Sequence, residues 1–264
     1  MQLRRITAWG IHRPHVVLAL ALLSAFVLSQ AMVLDAATAP GAGASTIIKD
    51  IPYPGAPKGD RRRSLDLYLP ADSGRKPPLL AFVHGGLWQL GDDDYRIGPT
   101  VAEALVREGV AVALVRYRLG AQAKSPVQVE DVAAAAALLL REAQRYGYDG
   151  NRIYLSGHDA GGHLAASVAL DPSYLGRHNL NAKSLAGVVV FSGIYDLAPK
   201  WGGVDNEKIA IEKTFGKDGA ALKRASPVSH ARGDAPAFLI LSSQNDTPGF
   251  ALDAKRFFDR LRAR

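Results

Sequence analysis

The sequence contains no cysteine, and it lacks the strong charge imbalance that is typical of nucleic-acid-binding proteins. The absence of cysteine excludes disulfides and thiolate metal sites, although it does not identify a cellular compartment. The formal charge is +7, and three of the positive charges, Arg4, Arg5 and Arg13, precede the first acidic residue. Without those three the balance is about +4, which is too small to indicate a nucleic-acid partner.

The N-terminal region has the composition of a targeting segment. Basic residues at positions 4, 5, 12 and 13 precede an apolar run from Val16 to Leu28, and Ser29-Gln30-Ala31 offers a small-x-small cleavage site. This pattern predicts a signal peptide at residues 1–31 and a secreted or periplasmic protein. The alternative is an uncleaved membrane anchor at residues 16–34, because the apolar character continues for close to the ~20 residues that span a bilayer. Membrane contact is expected only through this segment.

Residues 32–45 are rich in alanine, glycine and proline and predict a flexible spacer. The remaining residues, 46–264, alternate short apolar runs with helical stretches, which predicts one α/β domain with helices on both faces of a mostly parallel sheet. Predicted central strands are Leu79–Val83, Val110–Val115, Ile153–Leu155, Leu185–Phe191 and Ala237–Leu241. Predicted helices are Thr100–Glu108, Val127–Tyr146 and a final helix with an apolar stripe from Phe250 to Leu261.

Two glycine-rich stretches follow predicted strands. Gly157-His158-Asp159-Ala160-Gly161 has the spacing of a nucleophile elbow, in which small neighbours allow one side chain to stand on a strained turn above a sheet. His84-Gly85-Gly86-Leu87-Trp88 follows the Leu79–Val83 strand, and glycines at such a place let backbone N–H groups point into a cavity. The two stretches together predict an active-site edge of the sheet.

These stretches resemble the α/β-hydrolase superfamily, and within it the His-Gly-Gly-x-Trp branch of esterases, lipases and kynurenine formamidase-like arylformamidases. Further similar segments are Ser192-Gly193-Ile194-Tyr195-Asp196-Leu197 and Asn245-Asp246-Thr247-Pro248-Gly249-Phe250. The resemblance implies the doubly wound fold of that superfamily, a small-molecule ester or amide as substrate, and neither a cofactor nor a metal. It places the nucleophile position at Asp159, the triad carboxylate at Asp246, and oxyanion-hole amides at Gly85, Gly86 and Ala160. We expect His84, Leu87 and Trp88 to lie at the pocket.

Aspartate at position 159 departs from the family pattern, which has serine there. A serine hydrolase needs a hydroxyl group that is deprotonated and then acylated, and a carboxylate cannot replace it in ordinary ester cleavage. At a helix N-terminus beside oxyanion donors, the Asp159 carboxylate is expected to occupy or screen the oxyanion hole itself.

The second departure concerns the general base. The family places its catalytic histidine after the acid loop and a last strand, whereas no histidine follows His230 in this sequence, so no catalytic histidine is identified. His163 lies four residues after Asp159, and we interpret it as a structural partner. A metal site built from Asp159, His163 and Asp246 is chemically permissible but has no dedicated ligand spacing.

Three functional hypotheses follow. The first is an esterase-like hydrolase-fold protein with an incomplete triad. The second is an active hydrolase that uses Asp159 as nucleophile, as haloalkane dehalogenases and epoxide hydrolases of this fold use an aspartate. In this chain such a hydrolase would need a non-standard base. The third is a non-catalytic binding protein. Without the family's last strand, the Ala237–Leu241 strand is expected to be an exposed apolar edge that favours either aggregation, with marginal solubility, or edge-strand homodimers.

Overall fold

The computed structural model describes residues 6–10, 45–72, 74–91, 97–120, 123–198, 205–243, 245–247 and 249–264. These residues form eight strands: β1 Ile6–Gly10, β2 Thr46–Pro52, β3 Ser64–Leu69, β4 Leu79–Val83, β5 Ala111–Val115, β6 Ile153–His158, β7 Gly187–Phe191 and β8 Phe238–Ser243. All eight belong to one sheet in the order β1-β8-β7-β6-β4-β5-β3-β2. The α-helices are α1 Ile97–Arg107, α2 Val127–Tyr146, α3 Ala160–Leu170, α4 Pro172–Gly176, α5 Asp205–Phe215, α6 Gly219–Ala225 and α7 Phe250–Arg262.

The centre of the sheet is parallel and its margins are antiparallel. Strands β8, β7, β6, β4 and β5 run in the same direction, while β3, β2 and β1 are antiparallel to their neighbours. The parallel strands are almost entirely buried, as the runs that are apolar on both faces predict. The predicted α/β-hydrolase fold class is confirmed by this topology, and the parallel carboxyl ends gather the two glycine-rich stretches at one edge.

The helices begin and end close to their predicted bounds. Helix α2 matches its prediction, and it ends at Gly147, which has a left-handed φ of 82° and donates its N–H to the carbonyl of Ala143. The predicted apolar stripe of the last helix packs on the sheet: Phe250, Ala254, Phe257 and Leu261 are buried in α7. Stripes of this kind fix each helix to the sheet by burying apolar surface.

The structure corrects the expectation of an exposed edge at β8. Strand β1 pairs with β8 in antiparallel register, from Ile6 opposite Ser243 to Gly10 opposite Leu239. The position that sequence analysis left empty is therefore filled by the chain's own N-terminal region, inside the predicted signal peptide. The predicted spacer and the predicted anchor at residues 16–34 lie outside the described residues, except for Ser45. No helix of the described ranges combines the length and apolar character needed to cross a bilayer.

Candidate active site

The elbow is a strand, a strained residue and a helix in direct succession. Asp159 stands between β6 and α3 with φ 52° and ψ −120°, a conformation that is costly for a residue with a side chain. A Cβ atom at Gly157 would lie 2.2 Å from the carbonyl oxygen of Gly161, and one at Gly161 would lie 2.1 Å from that of Val83. Both glycines are therefore required by backbone contact, and the turn lifts the Asp159 side chain above the edge of the sheet.

The turn after β4 supplies the amides that face the elbow. Leu90 donates its N–H to the carbonyl of Gly86, and Leu87 and Trp88 both have positive φ angles. This tight turn directs the amides of Gly86 and Leu87 towards Asp159, whose Oδ2 accepts from them at 2.8 Å and 3.0 Å. Asp159 Oδ1 is buried and has no hydrogen-bond partner among the described residues. The carboxyl group thus accepts both amide hydrogen bonds through one oxygen, and its two oxygens lie in different environments.

The amides that donate to Asp159 overlap in part with the expected oxyanion donors Gly85, Gly86 and Ala160. They belong to Gly86, which is in the expected set, and to Leu87, which is not. The Gly85 carbonyl is instead within 3.4 Å of the Tyr117 hydroxyl, which donates to it. Ala160 begins α3 directly after Asp159 and is fully buried. The shift follows from the run of positive φ angles at residues 86–88, which the sequence pattern does not specify.

Two of the three predicted pocket residues are buried in the support of the turn. His84 is 7% exposed, and its ring stacks on Tyr117 with 4.4 Å between centroids. Trp88 is fully buried, and its indole N–H donates to His163 Nδ1 at 3.3 Å. Leu87 remains partly exposed beside Asp159. His84 and Trp88 therefore stabilise the amide turn and do not form the wall of an open pocket.

His163 holds the elbow helix to its surroundings. One ring nitrogen accepts from Trp88, which assigns the proton to Nε2, and Nε2 donates to the carbonyl of Ala225 at 2.9 Å. Burial lowers the pKa of His163 to about 4, and the hydrogen bond to Ala225 opposes this shift. These contacts support the interpretation of His163 as a structural partner. Both ring nitrogens are engaged in them, and the described ranges contain no cluster of three His, Asp or Glu side chains that could hold a metal ion.

His158 is the imidazole next to the two carboxylates. It is the last residue of β6, partly exposed yet closely surrounded by protein atoms, and it lies in register with Phe191 of β7. Burial lowers the pKa of His158, while the negative charges of Asp159 and Asp246 act in the opposite direction. The neutral form, which is the form that accepts a proton, is therefore favoured. The sequence places His158 inside the elbow but gives no sign that it also interacts with Asp246.

The predicted triad carboxylate is held by two donors. Asp246 Oδ2 accepts from the Ser192 hydroxyl and from the Ser243 amide, each at 2.7 Å. Ser192 follows β7 in a strained turn with φ 46°, and the preceding Phe191 carbonyl accepts from the Asp159 amide at 3.0 Å. Strand β7 thus connects the acid turn to the elbow. Sequence analysis did not select Ser192 as a site residue. The sequence feature that could have indicated it is the Ser192-Gly193 pair directly after a predicted strand.

A second buried carboxyl group supports the acid turn from below. Asp253 of α7 is 2% exposed and accepts from the Tyr195 amide at 2.6 Å. Burial raises the pKa of Asp253 to about 8, with the Tyr195 hydrogen bond opposing the shift, so this carboxyl group is mostly protonated at neutral pH. The Tyr195 ring stacks on Phe257 of the same helix at 4.3 Å. Helix α7 therefore fixes the Ser192–Leu197 segment and, with it, the donor to Asp246.

An elbow on a doubly wound sheet, a facing amide turn and a carboxylate turn after β8 together define an α/β-hydrolase-fold protein. Comparisons with known proteins agree with this class. A model of the family described as BD-FAE matches residues 65–251. The chain belongs to the BD-FAE family, whose esterase and formamidase relatives place it among esterase-like α/β hydrolases.

The relatives are esterases and formamidases by name. The chain is 30% identical over 216 residues to kynurenine formamidase of Danio rerio, in an alignment that covers 81% of this chain and 68% of the relative. It is 30% identical over 215 residues to esterase LipC of Mycobacterium tuberculosis, covering 77% of this chain and only 53% of LipC. Esterase B of Lactobacillus rhamnosis (HN001) superposes with a TM-score of 0.69 at 21% identity, over 94% of this chain and 79% of that one. This last likeness concerns the fold alone.

Proposed function

We propose that this protein is an esterase-like α/β hydrolase in which serine-type ester hydrolysis is blocked at the elbow. The observation that carries the proposal is the pair of amide hydrogen bonds, from Gly86 and Leu87, to Asp159 Oδ2. In a serine esterase these donors stabilise the negative oxygen of the substrate's tetrahedral intermediate. Here a carboxyl oxygen of the protein already accepts from both amides, so a substrate carbonyl has no donors to polarise it.

The chemistry of the side chain leads to the same conclusion. Attack by a carboxylate on an acyl carbon gives an anhydride, which is a more reactive acyl compound than the ester from which it came. A serine hydroxyl gives an ester of comparable energy, which accumulates as a productive intermediate. His163 is not available as a general base, since both of its ring nitrogens are engaged in hydrogen bonds within the protein.

The test is hydrolysis of an activated ester and of an aryl formamide, the latter because relatives carry the name kynurenine formamidase. We expect turnover of para-nitrophenyl acetate by the native chain to equal that of Asp159→Asn and of a heat-denatured sample. Turnover by the native chain that Asp159→Asn abolishes would contradict the proposed block. The Ser229→Ala variant, at an exposed position away from the turns that carry the site, serves as a matched control for handling and folding.

A second candidate function is favoured by the unequal oxygens of Asp159. Oδ2 is anchored by two amides, whereas Oδ1 has no partner in the described part of the chain. Oδ1 has the geometry of a nucleophile for a saturated carbon that bears a halide or an epoxide oxygen. Its attack would form an alkyl ester of Asp159 and either release halide or open the epoxide to an alkoxide that takes a proton from water. His158 would then take a proton from a water molecule that attacks the Asp159 carbonyl carbon, with the negative charge at Oδ2 stabilised by the same amides. Breaking the acyl–Oδ1 bond would release the alcohol, which takes the proton from His158, and restore the Asp159 carboxylate with one oxygen from water. Because Oδ1 is closed to solvent, the substrate must open the turn at Leu87 to reach it.

Isotope labelling distinguishes this candidate from the first. A single turnover of a small epoxide or bromoalkane in ¹⁸O-labelled water would place ¹⁸O in the peptide that contains Asp159, as measured by mass spectrometry. The same label would be absent from Asp159→Asn. If neither esters nor alkyl electrophiles react, the results favour the third hypothesis, a protein that uses the pocket for binding without catalysis.

We also propose export of the protein, on the basis of the basic, apolar and small-x-small pattern of residues 1–31. N-terminal sequencing of the protein recovered from outside the cytoplasm would test this proposal. A product that retains Met1 would contradict cleavage and favour the anchor at residues 16–34.

A further inference from the structure

The two margins of the sheet differ in how they are protected from pairing with another chain. At one margin, β2 carries Lys49, Asp50 and Pro52, and its register with β3 is interrupted between Ile48 and Ile51. Charges, proline and irregular register are the devices that keep an edge strand from accepting a further strand. The β2 margin is therefore closed to strand addition by its own sequence.

Strand β8, next to the other margin, has none of these devices. Its sequence, Phe-Leu-Ile-Leu-Ser-Ser from Phe238 to Ser243, contains no charge and no proline. Its register with β1 is uninterrupted over five residue pairs. An unguarded, apolar strand of this kind is a template for pairing. What protects β8 is its cover, β1, and not its own sequence.

The cover is attached through a long stretch of chain. Residues 11–45 separate β1 from β2, and the predicted signal peptide, residues 1–31, contains β1 entirely. Cleavage of the kind that the sequence predicts would therefore remove the strand that closes the sheet. The same five residues are both a sheet strand and part of a segment marked for removal.

We propose that the outer edge of β8 is a strand-accepting surface, occupied by β1 while the N-terminal segment is attached and by β8 of a second copy once that segment is removed. Symmetry supports the second occupant. Two identical strands that pair across a two-fold axis perpendicular to the sheet are antiparallel. Strand β1 is also antiparallel to β8, so the edge already presents its hydrogen-bonding groups in the required pattern.

Which strand pairs with β8, β1 or β8 of a second copy, depends on the effective concentration of each at the β8 edge. While β1 is tethered, its effective concentration at β8 exceeds that of a second copy at micromolar protein, so the intact chain is expected to be a monomer. Removal of β1 leaves the backbone groups of β8 hydrated and the apolar edge exposed, and pairing with another copy then buries both.

The experiment uses the intact, folded chain with a specific protease site inserted within residues 35–44. Size-exclusion chromatography with light scattering is expected to show a monomer before cleavage and a dimer after cleavage and removal of the N-terminal fragment. A synthetic peptide of residues 4–12, added in excess, is expected to return the dimer to monomer. Amide hydrogen exchange within residues 238–243 should stay slow in the intact chain and in the dimer.

A variant that needs no cleavage gives an independent test. In Thr7→Pro/Ala8→Pro the two prolines occupy neighbouring positions, one of which directs its N–H towards β8, so a ladder hydrogen bond is lost. We expect this variant to dimerise in the uncut state, whereas Ala42→Pro, in the predicted spacer, stays monomeric. The proposal would be overturned if the cleaved chain remained monomeric after the N-terminal fragment is removed. It would also be overturned if the peptide of residues 4–12 did not dissociate the dimer or aggregate.

Discussion

Beneath the elbow, α3 carries the buried His163, and beneath the acid turn, α7 carries the buried Asp253. We call the first group of residues, Gly86, Leu87, Trp88, Asp159 and His163, the elbow half, and the second, Ser192, Tyr195, Ser243, Asp246 and Asp253, the acid half. Each half rests on a group that burial keeps uncharged, a neutral imidazole in one and a protonated carboxyl in the other. An uncharged buried group avoids the free-energy cost of burying a charge. His163 is uncharged only above its pKa of about 4, and Asp253 only below its pKa of about 8.

The two halves also differ in their backbone. The elbow depends on main-chain atoms in direct contact, because glycine is required at positions 157 and 161. The acid turn depends on side-chain hydrogen bonds from Ser192 and to Asp253. The elbow should therefore be sensitive to any added atom, and the acid half to the loss of single polar groups.

The largest expected effect is that of Gly161→Ala in the elbow half. The new Cβ would lie 2.1 Å from the Val83 carbonyl oxygen and 2.5 Å from that of His84, and neither backbone group can move without breaking the sheet. We expect a loss of stability of at least about 4 kcal/mol, enough to leave little folded protein. Circular dichroism and urea denaturation measure this effect. Gly176→Ala is the control, because nothing lies within 4 Å of its Cβ position, and a stable Gly161→Ala protein would contradict the backbone contact.

The next effect is the alkaline sensitivity of the acid half. The pKa of Asp253 is about 8 in the folded protein against 3.8 as its ordinary value, so the folded state retains a proton that the unfolded state releases. The stability that Asp253 contributes is therefore present at low pH and lost as the pH rises from about 4 to about 8, by up to about 6 kcal/mol. Asp253→Asn should flatten this part of the curve of unfolding free energy against pH. An unchanged slope would show that Asp253 is ionised in the folded protein.

The elbow half should show the opposite, somewhat smaller dependence. His163 has a pKa of about 4 in the folded protein against 6.5 as its ordinary value, so the unfolded state binds a proton that the folded state does not. Stability is expected to fall as the pH decreases from about 6.5 to about 4, by up to about 3 kcal/mol. His163→Gln should remove this acid dependence, whatever its effect on absolute stability. Ser229→Ala, at an exposed position without an ionisable side chain, is the control, and an acid dependence that survives in His163→Gln would assign it to other groups.

The smallest effect is expected from Ser192→Ala. This change removes one of the two donors to Asp246 and leaves the Ser243 amide in place. Since both side chains are partly exposed, water can replace the lost bond, and we expect a cost of about 1 kcal/mol. Chemical denaturation measures it against Ser229→Ala, whose side chain is exposed. A cost as large as that of Gly161→Ala would remove the distinction between the two halves.

Sequence patterns were sufficient for most of the fold and for part of the site. Helix α2 and strand β4 have their predicted bounds, because long periodic stretches and buried apolar runs depend on local sequence. Glycine spacing also located the strained turn at Asp159, whereas Gly86 and Asp246 were selected through the family resemblance. The Leu87 amide, which donates to Asp159, was not selected, because the direction of an amide depends on φ and ψ at three consecutive residues.

Long-range contacts account for the residues that the patterns missed. Ser192 and Asp246 are 54 positions apart, and their hydrogen bond exists because β7 and β8 are neighbours in the sheet. Likewise, the buried state of Trp88 depends on its contacts with His163 and Phe215. The hydrophobic periodicity of a single segment does not predict contacts between residues that are distant in the sequence.

The sequence by itself determined the fold class, the elbow and the carboxylate upon it, because spacing, strand hydrophobicity and residue identity are local properties. The tertiary structure alone decided that this carboxylate fills the amide turn, that His163 and Asp253 are buried without charge, and that residues 6–10 cover β8. Each of these outcomes depends on which distant segments meet. The free energy of a buried charge or an unpaired strand is set by those neighbours and not by the residue itself.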